Sequence, residues 1–381
     1  MTLRMLLFLS SLISIVSCSN PSSSTENKTP LSDTIFGNGF NGYYMRLEGA
    51  IANQPVVLHL EKLGDRFQAI YSYNSIGQWI PLAVDSSVKD SLYLSEQIPG
   101  NNWSETQLPA STWRCLLKNG ILQGEWLSSD HKKSFPFTLK ESYPIGSIKF
   151  AMMGFSDSAK GLPQAAETPV AESDFMFVVA PHNDWLNKQI CNILNIDSNL
   201  SFKDGVNKSN TQYFADYRDQ LKDIDSLRPI ETFNYARYQT IMPVYNDRNL
   251  ITLQNDFYEF SGGAHGNYGT LFHTYDLINK KELKLSDLIQ IDSITLQPIV
   301  ERAFREQYRI KVKNLSQVLF DPHLATTDNF YITNKGIGFL YNPYEVASYA
   351  QGQINVFVPF SALKQWLSPY TKSQFGISNN P

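Results

Sequence analysis

From about Gly37 to Glu141 the chain alternates between apolar and polar residues in short runs, with no competing helical period. "GYYMRLEG" alternates, and "PVVLHLEKL" does so more cleanly, setting Val57 and His59 against Leu58 and Leu60. "RFQAIYSYNSIGQWIPLAV" reads as two strands around a turn at Asn74 to Gly77, and "DSLYLSEQ" and "ILQGEWLSSDHKKSFPFTLKE" extend the series. Successive side chains of a strand point to opposite faces. Period-2 segments rich in Tyr, Phe, Trp and Ile, separated by Gly and Asn, therefore predict an all-β domain over residues 35–150, a meander, sandwich or small barrel.

The pattern then changes. Small residues, Pro and Glu from Gly161 to Ala171 predict a linker over 151–171. Beyond it a 3.6-residue period aligns Leu186, Ile190, Ile193 and Leu194, and again Phe214, Tyr217, Leu221 and Ile224. Strands are expected at 234–247, 249–261 and 270–277. The strongest helix is "ITLQPIVERAFREQYRI", with Leu296, Ile299, Val300, Ala303 and Phe304 inward and Glu301, Arg302, Arg305 and Glu306 outward. "NFYITNKGIGFLYNPYEV" reads as a hairpin around Asn334 to Gly336, and "QINVFVPFSALKQWL" as a strand leading into a short helix. Helices and strands mix without regular βαβ alternation. This predicts an α+β fold with mostly antiparallel pairing, in subdomains 172–270 and 271–370 before a tail at 371–381.

The N-terminus adds an address. Arg4 precedes an apolar run from Met5 to Val16, shorter than the roughly 20 residues a spanning helix needs, so residues 1–17 read as a secretory signal. It ends in Ser17-Cys18, which resembles a bacterial lipobox, with Cys18 as the acylated first residue of a lipoprotein. Ser19 stands where an inner-membrane retention signal carries Asp, so the resemblance implies the outer membrane. Residues 18–34, rich in Ser, Asn, Pro and Thr, are expected to form a tether. The formal charge is −4, and losing Arg4 with the leader makes it more negative. With no basic stripe, nucleic acid is not the expected partner. Of the 3 cysteines, Cys115 and Cys191 lie in apolar surroundings and are expected to be buried free thiols.

"YEFSGGAHGNYGTLFHTYDL" holds the densest set of candidate residues: Tyr258, Gly262, Gly263, His265 and Asn267. A phosphate cradle needs a helix after its glycines, because the helix N-terminus supplies the amide donors. Here "TLFHTYDL" alternates as a strand, so no nucleotide or other cofactor is expected. Metal chemistry would rest on His265 and His273 with Asp256, Glu259 and Asp276 nearby, carboxylates that read as a solvated face. Acid–base chemistry would need His265 to meet Asp256 or Glu345. The plainer reading is a glycine turn between antiparallel strands that borders a contact surface. "GIGFLYNPYEVASYAQG" adds Tyr341, Asn342, Tyr344, Glu345 and Tyr349, residue types suited to a protein or sugar face or to a partly buried core.

In their order along the chain, these blocks resemble the paired extracytoplasmic domains of RsiV-type anti-sigma factors and PdaC-type peptidoglycan deacetylases. The matching blocks are Gly262 to Gly266, Leu285 to Leu288, Tyr344 to Gly352 and Val358 to Leu363, and the resemblance spans about Glu172 to Leu367. It implies a non-enzymatic envelope domain that binds a protein such as lysozyme, or a peptidoglycan-type glycan. The chain carries no TFDDG-like run or HxxxH of a deacetylase domain. Two other expectations stand beside this one: an envelope enzyme acting on cell-wall sugars, and a structural lipoprotein that docks through its β-domain.

Overall fold

Eight strands close the N-terminal domain into an antiparallel barrel. They are β1 (Gly42–Ile51), β2 (Gln54–Leu63), β3 (Arg66–Tyr73), β4 (Ile80–Val88), β5 (Ser91–Glu96), β6 (Thr112–Lys118), β7 (Ile121–Leu127) and β8 (Ser134–Glu141). The structure, a computed structural model, describes residues 42–64, 66–100, 108–165, 167–222 and 230–378. The leader 1–17, Cys18, the tether 18–34 and Ile224 lie outside the described residues. The alternation seen in the sequence sends Met45, Leu47, Leu58, Leu60 and Tyr71 into the barrel around Trp113. An eight-stranded barrel is just wide enough for side chains to fill it. Inside, Glu96 Oε1 accepts from Tyr71 Oη at 2.5 Å and Trp126 Nε1 at 2.7 Å, so both aromatic tips are paired. Cys115 and Cys191 are free and buried, and burial pushes the Cys115 thiol up to about 12.

The linker expected over 151–171 is reduced to the connection at 161–169. Residues 151–160 form β9 (Ala151–Lys160), which pairs antiparallel with β10 (Val170–Val179), leaving only a short connection between them. Ala159 on β9 and Ala171 on β10 are buried beside Phe214, Tyr217 and Leu221 of the helix packed on them. A six-stranded sheet continues through β11 (Tyr235–Asp247), β12 (Leu250–Ser261), β13 (Asn267–Asp276) and β14 (Lys281–Glu282), in the order β14-β13-β12-β11-β10-β9. The expected subdomain boundary at 270/271 therefore falls within β13. Among the described residues only β10 and β11 pair in parallel, and parallel neighbours need a long crossover. It is made by α1 (Asp184–Ile193) and α2 (Phe202–Leu221), started by caps from Asn183 and Ser201.

The C-terminal part folds α3 (Leu285–Leu288) and α4 (Ser293–Gln307) with a small sheet of β15 (Phe330–Ile332), β16 (Gly336–Tyr341) and β17 (Ile354–Pro359), closed by α5 (Pro369–Phe375). The expected tail at 371–381 thus begins inside a helix, one that a Ser368 cap and Pro369 start. α4 buries Leu296, Val300 and Phe304 as its period predicts. Glu301 corrects the expectation: it is 9 % exposed and points inward. Its carboxylate accepts from Arg305 Nε at 2.9 Å, Gln297 Nε2 at 2.7 Å and the Leu324 amide at 3.2 Å. A buried carboxylate is tolerated when its oxygens are paired in this way.

Barrel and sheet share an interface. The barrel's outer positions on β1, β2 and β3 face one side of the sheet, and Trp79 stacks on Tyr331 with centroids 3.4 Å apart while meeting Phe272 edge-on. Gly338 is required beneath this stack, since a Cβ there would sit 1.9 Å from Tyr331 Cζ. Among the described residues no helix is long and apolar enough to cross a membrane.

Candidate functional site

The glycine turn joins β12 to β13 as an antiparallel hairpin, and its glycines have two separate tasks. Gly262 (φ 89°) and Gly263 (φ 96°) occupy backbone conformations that strain other residues. Gly266 and Gly269 supply space instead: a Cβ would lie 2.4 Å from Tyr258 Cζ at one and 2.5 Å from Phe257 Cζ at the other. The turn leads into a strand, so it presents no helix N-terminus to an anion.

The hairpin register places Tyr258 opposite Tyr268, and β11 places Tyr238 opposite Tyr258. Directly paired residues share a face, so three tyrosines form a row across three strands. The Tyr238 and Tyr258 rings stack at 5.5 Å. The row continues off the sheet: Tyr268 meets Tyr349 edge-on at 5.4 Å, Tyr349 lies 4.2 Å from the His265 ring, and Tyr344 is 5.7 Å from Tyr349. Tyr349 Oη donates to the Gly266 carbonyl at 3.0 Å, tying the second tyrosine-rich segment to the turn. Partial burial raises the Tyr268 and Tyr349 phenols above their ordinary range. Tyr344 is 54 % exposed and sits at φ 70°, a strained conformation for a bulky residue.

Not all the candidate residues reach this face. Gly263, His265, Asn267, Tyr344 and Glu345 are exposed, and Tyr258, Gly262 and Tyr349 are half-buried along its inner edge. Tyr341 belongs to the core at 1 % exposure and donates to the Ala325 carbonyl at 2.6 Å, because it faces inward as the last residue of β16. Asn342 is spent on the structure. Its Oδ1 accepts from the Thr270 amide at 2.7 Å and from Gln353 Nε2 at 3.0 Å, while Nδ2 donates to the Thr270 carbonyl at 3.1 Å. With Asn329, which bonds the Thr270 carbonyl and the Phe272 amide, it satisfies backbone groups on an edge of β13 that has no paired strand there. Tyr268 and Tyr238 escaped the sequence reading, although a hairpin centred on Gly263 already equates 258 with 268.

The geometry does not unite His265 with its suggested partners. His265 Nδ1 meets the Gly266 carbonyl at 3.0 Å, Asp256 is bonded to Thr270 and Gln254, and Glu345 meets Asn342 at 3.4 Å. Of the expected solvated face, Glu259 is exposed, while the other two carboxylates depart from it. Asp256 faces the barrel, and Asp276 is 4 % exposed, where it accepts from Tyr370, Asn279 and the Ile278 amide. His273 pairs with Glu282 at 2.8 Å. Among the described residues no three His, Cys, Asp or Glu side chains gather as metal ligands. A separate cleft of 630 Å³ is lined in part by Glu282, Leu283, Lys284, Ile291 and Asp328.

Residues 286–361 match a family described as "Protein of unknown function (DUF3298)". The matched stretch holds α4 and the three-stranded sheet, including Tyr344 and Tyr349; the glycine turn precedes it. The chain is similar to the immunogenic protein MPT64 of Mycobacterium tuberculosis and to MPB64 of Mycobacterium bovis, each 28% identical over 170 residues, which is 42% of this chain and 72% of theirs. A crystal structure of a DUF3298 family member from Bacteroides fragilis superposes with a TM-score of 0.52 at 21% identity, covering 60% of this chain and 99% of that one. Its likeness is one of fold. The comparisons thus reach a domain of unknown function.

Proposed function

We propose that this protein is a non-enzymatic lipoprotein of the bacterial cell envelope, held at the outer membrane through Cys18, that binds another protein through the face built by His265, Asn267, Tyr268, Tyr344, Glu345 and Tyr349. The observation that carries this reading is the tyrosine row that runs off the sheet into exposed aromatic rings. Tyrosine offers large contact area and a polar tip for few rotatable bonds, which is why it is enriched at interfaces. Tyr344 adds to this, since strain at an exposed aromatic residue is retained against about 1 kcal/mol or more and does nothing evident for the core. Lysozyme is the partner that the RsiV-type resemblance implies.

The same rings would also stack on sugars, so peptidoglycan fragments are the second reading. Calorimetric titration of residues 35–381 with lysozyme and, in parallel, with muropeptides separates the two. Tyr344→Ala is expected to weaken lysozyme binding about tenfold or more, as truncating a central aromatic anchor does. Tyr344→Gly should lose binding equally while keeping or raising Tm, because glycine relieves the positive φ. A variant that loses Tm and binding together would make Tyr344 structural.

A further inference from the structure

The barrel–sheet interface hides a second set of polar groups, distinct from the tyrosine face. On the barrel, register places Tyr44, Glu61 and Gln68 opposite one another across β1, β2 and β3. On the sheet it places Thr240, Asp256 and Thr270 opposite one another across β11, β12 and β13. Strand parity turns the two rows toward each other. Leu58 and Leu60 fill the barrel, so Glu61 points out of it; Met242 and Phe272 pack with Trp79, so Thr240, Asp256 and Thr270 point toward it.

Glu61 is 0 % exposed, and neither carboxylate oxygen has a hydrogen-bond partner. Gln68 Oε1 and Thr240 Oγ1 are likewise buried and unpartnered. Asp256 completes the group, with Oδ1 bonded to Thr270 and Oδ2 to Gln254 at 2.8 Å, and the Gln68 side chain also hydrogen-bonds its carboxylate. Of the nearby positive groups, Arg46 pairs through Nη1 with Glu48 at 2.6 Å while its Nε is buried without a partner, and His59, beside Tyr44, is kept neutral by burial and by Arg46. Burial, and then the neighbouring Asp256, pushes the Glu61 carboxyl well above the ordinary carboxylate range. One proton on Glu61 would let one of its oxygens donate to one neighbouring acceptor and leave the other orphaned atoms without a partner. Orphaned buried polar atoms destabilise the folded state, and folded proteins rarely leave several side by side.

We propose that Glu61 and Asp256, with Gln68 Oε1 and Thr240 Oγ1, form a site for one calcium-class divalent cation that clamps the barrel to the sheet. The donors are all oxygens, which selects a hard cation over zinc or copper. Two carboxylates and two neutral oxygens provide up to six contacts, within the range calcium takes, whereas magnesium retains several of its waters and suits a dry interface less well. The Thr240–Asp256–Thr270 row lies next to the Tyr238–Tyr258–Tyr268 row on the same face of β11, β12 and β13. A cation there would hold the base of the tyrosine row in place.

The test is calorimetry and thermal melting of the whole chain after EGTA treatment, with CaCl2 and MgCl2 as titrants. The expected result is one calcium ion per chain, tighter than magnesium, with a Tm that climbs with calcium concentration as binding to the folded state requires. Glu61→Gln and Asp256→Asn, both close in shape to the native side chains, should each abolish the heat and the Tm response. Absence of saturable calcium binding to the EGTA-treated wild type overturns the proposal without any need for a variant. So does calcium binding that survives Glu61→Gln, or a wild-type Tm that calcium leaves unchanged while Glu61→Gln raises it. The last result would mark the carboxylates as a pair sharing a proton.

Discussion

His59 is buried at 5 % exposure on the outer face of the barrel, with Tyr44 Oη 2.8 Å from its Nδ1. Burial, then the charge of Arg46, lowers its pKa from 6.5 to about 3. Below pH 6.5 the unfolded chain takes up a proton that the folded protein refuses until about pH 3. His59 therefore makes stability fall as pH drops through that window, by up to about 1.4 kcal/mol per pH unit in its steep part. Urea unfolding of wild type and His59→Gln at pH 7 and pH 5 isolates the effect, because other titrating groups are common to both proteins. The wild type is expected to lose more stability between the two pH values, and parallel losses would contradict the assignment.

Individual elements were largely legible in the sequence, and their partners were not. Period-2 runs gave the strands, and the 3.6 period gave α1, α2 and α4, because alternation arises from backbone geometry alone. The same alternation set Val57 and His59 apart from Leu58 and Leu60, but only the folded chain shows that the polar side of β2 faces a sheet. Period-based reading treats a charged residue as solvent-facing, and Glu301 defeats it: Arg305 one turn along α4 and the Leu324 amide from a distant loop make burial tolerable. Removing that carboxylate strands several donors. Glu301→Ala is expected to cost about 2–4 kcal/mol and to loosen the loop carrying His323 and Leu324. Chemical unfolding and amide exchange at Leu324 measure both, and a loss below about 0.5 kcal/mol would make the network ornamental. The candidate face was half legible for a related reason. Residue type singled out His265, Tyr344 and Tyr349, whereas Tyr238 and Tyr268 became visible through register, and Tyr341 and Asn342 fell inward because β16 and the edge of β13 needed them.

At the scale of the whole molecule, barrel and sheet share an interface organised around Trp79, Phe272 and Tyr331, with two polar rows beside it. This bears on whether the barrel is a detachable docking module. Trp79→Ala is expected to cost about 3–5 kcal/mol, the usual range for truncating a buried tryptophan. It should lower the melting of barrel and sheet together, read by near-ultraviolet circular dichroism. Unchanged melting of one part while the other moves would show that the two fold independently. Deleting residues 35–150 would likewise expose Met242, Phe272 and Tyr331, which are covered by the barrel in the intact chain.

That the aromatic face around the glycine turn meets a partner is tested most directly by titrating residues 35–381 with lysozyme in a calorimeter, using wild type and Tyr344→Gly. A saturable signal is expected with the wild type, and its loss in a variant at least as stable. No signal from the wild type, or undiminished binding by the variant, would contradict a partner-binding role for this face.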